Sequence, residues 1–467
     1  MKKLFVILAT LAAVMSCTKE AFVETNPVKA DAELVPMSFT VSCETKAVLN
    51  EDLSVSFVPG DRISVFANGT NYEFTTEAGG ASAIFSGLAP EADTYYALYP
   101  YMEDATIEDG VIKNATIGSG SAGTGTGSFN SQRAVAVAVT TDKSLNFKHV
   151  TALLKLTVPA EVEDLKEVIF FNRENGSGNL AGALTGTFDI TPSASGEPVV
   201  NVTEPAFQTG LVGPYGSEDA IPAGDYYIPV LPAKLTAKKG IDIKMTFMDN
   251  FVGRAFNGHG IKLERAKVYN LGIVKKTDSF IYDSFESGAA ISGDDYTGNT
   301  NALVVIENPV KTDANNSAYV LKNDMSTSTS GTSGYIQVKT AGTNGYTMFP
   351  NAVRPNYNRV RILMYLGTNE YYPRARRGSN PAARPAFLNG VAIDDNKETW
   401  EAAVKKNDWN VLEWNATQID AGWTHFQNLQ TLEFRPFVKW DGSNVSGFDE
   451  VTNNRLIYVD DISFVLK

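Results

Sequence analysis

Short apolar runs in which every second residue is hydrophobic recur along most of this 467-residue chain. Each run is bounded by Gly, Pro, Asn or Asp, the residues that most often form turns between strands. Because alternate side chains of a strand point to opposite faces, this pattern predicts strands with one buried face. The predicted strands are 63–66, 95–101, 134–139, 153–158, 168–171, 226–231, 241–247, 302–307, 335–339, 359–366, 410–414, 432–438 and 456–466.

One segment, 397–406, favours a helix instead. Trp400 and Val404 lie one turn apart there, its acids come early, and Lys405 and Lys406 come late, as the helix dipole prefers. One helix among so many strands leaves the predicted fold class all-β. Short antiparallel strands usually bury their apolar faces in sandwiches or jelly rolls, and a chain of this length has room for about two to four domains.

Residues 1–16 have the layout of a secretory signal peptide. Lys2 and Lys3 precede an apolar run that is too short to span a bilayer as a helix. The junction before Cys17 resembles a bacterial lipobox, which implies that Cys17 carries a lipid and becomes the mature N-terminus. An ordinary signal peptide with a chance cysteine nearby is the alternative. Residues 17–35 are polar and show no period, and they predict a tether.

The expected location follows from this anchor. Lys19 and Glu20 resemble the signal that sends some lipoproteins to the outer face of a Gram-negative outer membrane, so we expect a lipid-anchored, surface-exposed protein. Cys43 is the other cysteine of the sequence, so lipidation of Cys17 leaves no intrachain disulfide. The net charge of −13 argues against binding to nucleic acid or anionic membranes. The lipid is then the expected membrane contact.

Motifs of catalysis are missing from the sequence. The three histidines, His149, His259 and His425, are far apart, and no nucleophile-elbow, zinc-protease or Cys/His motif accompanies them. The chain is therefore predicted to bind, not to catalyse, and to require no cofactor. A carboxylate pair for glycoside hydrolysis stays open as an alternative, since 53 acidic residues form many pairs by chance.

The arginines are concentrated in one segment of this acidic chain. Residues 351–384 hold seven arginines and one acid, Glu370. Guanidinium groups bind carboxylate or sulfate through two parallel hydrogen bonds, and aromatic rings pack on the C–H faces of sugars. The segment predicts a site for an acidic or otherwise polar glycan, with pairing to the domain's own acids as the alternative. The candidate glycan-binding residues are Tyr371, Tyr372, Arg374, Arg376, Arg377, Trp423 and Trp440.

All five tryptophans lie within residues 400–440. Trp409 and Trp414 frame an alternating strand and Trp400 lies on the predicted helix, so these three are expected in the core. Trp423 and Trp440 have loop-like neighbours, which leaves both the core and the sugar-platform roles open.

Near the C-terminus, Asp460 and Asp461 are candidate oxygen ligands for a structural calcium ion, together with Glu286 or Asp283. Adjacent residues of a strand point to opposite faces, so at most one of the two neighbouring aspartates is expected to be a ligand. Glu286 and Asp461 are the predicted pair.

Several motifs occur in a recognisable order in the first half of the chain. They are VPGDRISVF at 58–66, AIFSG at 83–87, YYALYPY at 95–101, NFKHVTALLKL at 146–156, DYYIPVLP at 225–232 and KVYNLG at 267–272. This order resembles the fimbrillin-like family of lipoprotein pilins and adhesins. The resemblance implies two tandem transthyretin-like β-sandwiches, at 36–145 and 146–276. It also implies a role as a pilus subunit, tip or anchor, or as a stand-alone adhesin.

In the family members that assemble, a protease removes the first strand and a neighbour's strand refills the groove. Lys46 is the basic residue nearest to the position where such processing is expected, so other pilus subunits are candidate partners.

The last part of the chain, 280–467, resembles galactose-binding-like jelly rolls. The motifs are YDSFE at 282–286, VVIENPVKTDANNSAYV at 304–320 and IYVDDISF at 457–464. Such modules often bind carbohydrate, which implies a surface adhesin that grips a glycan or another surface ligand. A pilus subunit that polymerises by strand exchange is the alternative, and a glycoside hydrolase is the least favoured hypothesis.

Overall fold

The computed structural model shows strands joined by turns, with two short α-helices and a 3-10 turn at Arg354–Asn356 among the residues that it describes. In this described part, no helix has the length and apolar character needed to cross a membrane. The described residues are 33–43, 56–118, 120–122, 133–172, 183–214, 219–232, 241–249, 251–257, 262–285, 296–298, 302–324, 334–339, 354–367, 371–393, 395–426, 429–443 and 456–466.

The N-terminal unit is built from strands β1 to β10. They are β1 (Val35–Cys43), β2 (Arg62–Ala67), β3 (Thr70–Thr75), β4 (Ser82–Ala89), β5 (Tyr95–Tyr99), β6 (Thr106–Glu108), β7 (Val111–Ile117), β8 (Gly120–Ala122), β9 (Ala136–Thr140) and β10 (Ser144–His149).

Seven of these strands close a barrel in the order β1-β10-β9-β5-β2-β3-β4. Strand β1 completes it, since it pairs antiparallel with β4 and parallel with β10. Its alternate residues Met37, Phe39 and Val41 point inward and are 5%, 0% and 0% exposed. Phe39 packs edge-on against Phe74 and Tyr95 inside the barrel. Closure of the barrel and filling of its core therefore both depend on β1.

The second unit is built from strands β11 to β19. They are β11 (Ala152–Val158), β12 (Leu165–Asn172), β13 (Thr185–Thr191), β14 (Val199–Ala206), β15 (Gln208–Val212), β16 (Gly224–Val230), β17 (Ile241–Phe247), β18 (Val252–Asn257) and β19 (Val268–Ile273).

Two sheets of the second unit, β16-β11-β19 and β18-β17-β12-β15-β8, pack over one core that includes Leu154, Phe170 and Ile243. The N-terminal unit contributes directly to these layers. Its strand β8 pairs with β15, and β6 and β7 join β13 and β14 in a four-stranded sheet. Shared sheets of this kind join the two units more firmly than a linker does.

The C-terminal unit contains strands β20 to β31 and both helices. They are β20 (Ser279–Asp283), β21 (Tyr296–Gly298), β22 (Ala302–Glu307), β23 (Tyr319–Asp324), β24 (Ile336–Lys339), β25 (Tyr357–Tyr365), β26 (Arg374–Arg376), β27 (Phe387–Leu388), β28 (Val391–Ala392), α1 (Lys397–Ala403), β29 (Trp409–Asn415), α2 (Ala416–Ile419), β30 (Thr431–Arg435) and β31 (Leu456–Leu466).

An eight-stranded sheet and a four-stranded sheet form the two layers of this unit. The first has the order β22-β23-β31-β25-β29-β27-β28 with β20 paired to β31, and the second has the order β21-β24-β30-β26. Trp414 of the first layer packs on Phe434 of the second, with ring centroids 5.5 Å apart. The all-β class predicted from the sequence is confirmed, and the strands are layered as the pattern indicated.

Helix α1 ends earlier than its sequence pattern predicts. Trp400 is buried as expected, but Val404 already has extended backbone and caps the helix after Ala403. The side-chain amide of Asn410 accepts from Lys405 N–H at 2.8 Å and donates to Lys405 O at 2.9 Å. These bonds satisfy the backbone of Lys405 outside the helix, so the last predicted turn does not form.

The second and C-terminal units share one hydrophobic core. Tyr357 of β25 is fully buried, and its ring lies 6.4 Å from those of Phe251 and Phe280. Its hydroxyl donates to Val252 O at 2.9 Å and accepts from Val252 N–H at 3.2 Å. A buried contact that also satisfies backbone groups fixes the orientation of the C-terminal unit on the units before it.

Candidate functional site

The second half of the arginine-rich segment forms strand β26 and the loop after it, at the edge of the four-stranded sheet, whereas Arg359 and Arg361 lie on β25. Strand β26 pairs antiparallel with β30, which places Arg376 opposite Glu433 and Arg374 opposite Arg435. Ala375 between them points into the core and is fully buried. Both arginine side chains therefore leave from the outer face of the sheet.

Arg376 is bound by an acid of its own sheet. Its Nε and Nη2 donate to the two carboxylate oxygens of Glu433 at 2.9 and 3.2 Å. Arg435 Nε lies 3.2 Å from the same carboxylate. Glu433 is only 5% exposed, so these two cations replace the hydration that its charge has lost. The contact of Arg376 with Glu433 stabilises the sheet. It is an example of the alternative given for the basic segment, in which its arginines pair with acids of the same domain.

Arg377, Trp423 and Tyr371 also make contacts within the protein. Arg377 Nη1 donates to Asp420 Oδ2 at 2.7 Å, and its guanidinium lies 4.7 Å from the centre of the Trp423 ring. Trp423 and Tyr371 are 6% and 4% exposed, and Tyr371 packs edge-on against Phe437. The faces of these two rings are taken by protein contacts in this structure.

Arg374 instead lines a pocket of about 460 Å³ between β26 and the following loops. Pockets of about 300–1,000 Å³ are typical of small-molecule sites. The wall combines charged, polar and small apolar residues, namely Arg374, Ala382, Ala383, Arg384, Ile393, Asp395 and Gln418.

Two guanidinium groups converge in this pocket on one carbonyl oxygen. Arg374 and Arg384 each donate from Nη2 to Trp440 O, at 2.5 and 3.0 Å. Arg374 Nη1 also donates to Ala382 O at 3.2 Å, whereas Arg384 Nη1 pairs with Asp395 Oδ1 at 2.5 Å. Among the residues that line the pocket, one carboxylate thus faces two cations, and Asp441, outside the lining, also acts on Arg374.

The electrostatics of Arg374 support this reading of the pocket. Burial lowers the pKa of Arg374, and the neighbouring charge of Arg384 lowers it further. Arginine has the highest pKa of the ionisable side chains, so Arg374 stays charged at neutral pH despite this lowering. The Nε atoms of Arg374 and Arg384 are buried and have no hydrogen-bond partner among the described residues. Additional negative charge in the pocket would be favourable.

Aromatic rings lie beside the two arginines. The guanidinium of Arg384 is 4.0 Å from the centre of the Trp440 ring. Tyr372 packs on Trp440 and on Trp400, with centroids 5.2 and 5.8 Å apart. Trp400 is 1% exposed, whereas Trp440 and Tyr372 are half-buried. The open parts of the latter two rings provide apolar surface next to the charged pocket.

The structure brings together three of the predicted glycan-binding residues, Tyr372, Arg374 and Trp440, around this pocket. Sequence reasoning counted Arg384 in the basic segment but did not select it. It missed Asp395 and Gln418 altogether, because a single acid and a single amide in loops carry no pattern. The expectation that Trp400, Trp409 and Trp414 are core residues is confirmed by their burial: they are 1%, 1% and 0% exposed.

The predicted calcium site is described only in part. Asp460 is fully buried and Asp461 is exposed, as expected for neighbours in a strand. The Oδ2 atom of Asp460 accepts from Asn315 Nδ2 at 2.9 Å and from Ser317 Oγ at 2.5 Å, so protein donors occupy this oxygen. Within the described ranges, no group of three or more acidic, histidine or cysteine side chains is placed to hold a metal ion.

Three of the predicted site residues, Glu286, Cys17 and Lys46, lie outside the described residues. The calcium pair, the lipid anchor and the processing site therefore stay predictions. The second cysteine of the sequence, Cys43, ends strand β1, and its Sγ lies 3.1 Å from Nε2 of the buried His149.

No protein-family model and no curated protein matches the chain. Among solved structures, it is similar to a candidate cell adhesion protein from Bacteroides uniformis, at 15% identity and a TM-score of 0.32, over 51% of this chain and 93% of that one. The tip fimbrial protein Mfa3 from Porphyromonas gingivalis is 8% identical, with a TM-score of 0.27, over 52% and 97%. The CBM22 tandem domain of Xyn10C from Paenibacillus barcinonensis is 12% identical, with a TM-score of 0.23, over 88% and 99%.

Proposed function

We propose that this chain is a surface adhesin of the fimbrillin-like type, held to the outer membrane by a lipid on Cys17, whose C-terminal unit binds carbohydrate. The observation that carries the proposal is the pocket formed by Arg374 and Arg384 beside the half-buried rings of Trp440 and Tyr372. The order of the sequence motifs supports the adhesin assignment.

The pocket has the chemistry that sugar recognition needs. Charged donors and an exposed carboxylate can take hydroxyl and carboxyl groups, and the neighbouring rings offer apolar surface for the C–H face of a sugar. The firm junction at Tyr357 holds this unit at a fixed orientation on the barrel and sandwich layers. Those layers then serve as a stalk between the tether and the ligand.

Filling the pocket should abolish carbohydrate binding without unfolding the protein. Ala382 lines the pocket, and its hydrogen bond from Arg374 is accepted by the backbone carbonyl, which a substitution of the side chain leaves in place. Ala382→Phe should therefore keep this bond while its ring occupies the ligand volume. On a glycan array probed with the full mature chain, we expect the wild-type signal to fall at least about tenfold, the equivalent of about 1.4 kcal/mol.

The matched control is Ala392→Phe, the same change on an exposed strand residue outside the pocket wall. It should leave binding within about twofold of wild type, because exposed substitutions away from a site change little. A wild-type chain that gives no signal on the array, or an Ala382→Phe variant that binds as wild type does, would contradict the proposed site.

A second candidate function, assembly into a pilus by strand exchange, is favoured by the position of β1. This N-terminal strand lies between β4 and β10 and closes the barrel. Its loss would expose two sheet edges and the groove that Phe39 fills. Such a groove is suited to accept an apolar strand from a neighbouring subunit.

Removal of β1 tests this second function. A chain that lacks residues 1–46 should lose the cooperative unfolding of the barrel, since each buried apolar side chain of β1 contributes about 1.5–3 kcal/mol. A synthetic peptide of residues 33–45 should restore the melting transition, and the same peptide with Phe39→Glu should not. Electron microscopy of the truncated chain should then show filaments. Truncated chains that bind the peptide but stay monomeric would speak against polymerisation.

A further inference from the structure

We propose that the pocket of Arg374 and Arg384 takes the carboxylate of an acidic sugar, and that Asp395 holds the position of this carboxylate until the sugar displaces it. The inference rests on the proposed carbohydrate-binding function and names the class of sugar. Asp395 then competes with the ligand for Arg384.

The contacts of Asp395 fit this role. Its carboxylate is 2.5 Å from Arg384 Nη1, at the pocket that both arginines line. The side chain of Asp395 is nevertheless 85% exposed, whereas the side chain of Glu433 in its pair with Arg376 is 6% exposed. An exposed ion pair contributes little to stability, so turning Asp395 away from Arg384 costs little.

The remaining groups of the pocket fit a sugar that carries this carboxylate. Arg374 donates to backbone carbonyls in its described hydrogen bonds, and Asp395 and Asp441 act on its charge through space. Its guanidinium can therefore interact with the second side of an incoming anion. Gln418 donates to Arg384 O at 3.2 Å and accepts from Asn415 N–H at 2.9 Å, and it acts as a positioning residue for Arg384. The ring of the sugar would then lie against Trp440.

The charge balance favours a carboxylate over a neutral sugar. A neutral sugar cannot replace the charge of Asp395 opposite Arg384, so it would leave the two guanidinium groups less compensated than before. A sugar carboxylate has the same planar shape and the same charge as the group that it displaces. It can therefore replace Asp395 in the 2.5 Å contact with Arg384 Nη1, and the sugar ring adds contacts that Asp395 lacks.

Binding of the full mature chain to defined polysaccharides tests the inference. The probes are three polyuronates (polygalacturonate, alginate and hyaluronan), with methyl-esterified polygalacturonate as the uncharged match and dextran sulfate as the sulfate match. We expect at least one polyuronate to bind about tenfold or more tightly than the methyl ester, and Arg384→Gln to remove this preference.

The decisive variant is Asp395→Asn, for which we expect polyuronate binding to tighten about fivefold, because the competitor loses its charge. Loss of folding cannot produce a gain in affinity. The matched control is Glu398→Gln, which removes the same charge from an exposed residue outside the pocket wall and should leave the affinity unchanged.

Other outcomes separate this inference from the proposed function. Equal binding of polygalacturonate and its methyl ester, with no effect of Asp395→Asn, would overturn the carboxylate assignment but keep carbohydrate binding. A preference for dextran sulfate over all three polyuronates would also overturn it. Absence of binding to every polysaccharide, neutral ones included, would remove the proposed function itself.

Discussion

Replacing Glu433 by glutamine should lower the free energy of unfolding by about 3 kcal/mol, an effect in the range found when one partner of a buried ion pair is removed. Glu433 is 5% exposed, it accepts hydrogen bonds from Arg376, and it forms an ion pair with Arg435. Without the carboxylate, the guanidinium groups of Arg376 and Arg435 lie close together and lose the acid that they share. Arg435 is already affected, since burial and the charge of Arg376 both lower its pKa.

Urea unfolding followed by circular dichroism measures this change. The control is Glu401→Gln, which removes an exposed helical partner of Lys397 and should cost under about 0.5 kcal/mol. A double-mutant cycle of Glu433→Gln with Arg376→Gln isolates the pair, and we expect a coupling energy above about 1 kcal/mol.

The same pair bears on ligand binding. If Arg376 only stabilises the sheet, Arg376→Gln should lower the melting temperature while the folded fraction binds polysaccharide with wild-type affinity. Weaker binding together with an unchanged melting temperature would instead make Arg376 a ligand contact, as the sequence pattern predicted. The outcome decides between the two interpretations that the basic segment left open.

The strands were predictable because their signal is local. The alternation at 241–247 coincides with β17, and the runs at 63–66 and 153–158 fall within β2 and β11. Their pairing was not predictable in the same way. Nothing near residue 111 indicates that β7 will pair with β13 of the next unit, since register is set by contacts between residues far apart in the chain.

The candidate site shows the same limit. Arginines are conspicuous when they cluster in an acidic chain, so Arg374 and its neighbours could be selected from composition. Whether an arginine stays available for a ligand depends on which acids the fold places beside it. Glu433 lies beside Arg376 on a paired strand, and Asp420 lies beside Arg377 in the segment after α2. Asp395 contacts Arg384 from a loop, and no sequence pattern predicts this contact.

The stability of the chain should also fall as pH rises from 6 to 9, by about 2 to 3 kcal/mol, because of one buried carboxyl group. Asp460 on strand β31 is fully buried. Burial, followed by the charge of Asp461, raises the pKa of Asp460 to about 8. The protonated acid can be accommodated, since Ser317 Oγ lies 2.5 Å from Asp460 Oδ2 and can itself donate to Tyr319 O at 3.3 Å.

The sign follows from the two pKa values of Asp460. Its ordinary value is 3.8 and its value in the folded chain is about 8, so the folded state holds more protons between them. The group therefore contributes its full stabilisation below about pH 4 and loses it as pH rises through about 8. Carboxylates with a lowered pKa give the opposite slope at acidic pH; examples are Asp225, lowered by its bond from Lys155, and Asp420, lowered by the Gly422 N–H and then by Arg377. The interval from pH 6 to 9 avoids their titration.

Urea unfolding at pH 6, 7, 8 and 9 measures this slope, and two variants assign it. Asp460→Asn should remove the decrease, because the residue at position 460 can then no longer ionise. Asp461→Asn removes the neighbouring charge on the exposed side of the strand, so it should lower the pKa of Asp460 and shift the decrease to lower pH. This second variant keeps the test valid if Asp460→Asn folds poorly. A flat profile for the wild-type chain would show that Asp460 ionises in the folded state at its ordinary pKa, with the bonds from Asn315, Ser317 and the Asp461 N–H offsetting its burial.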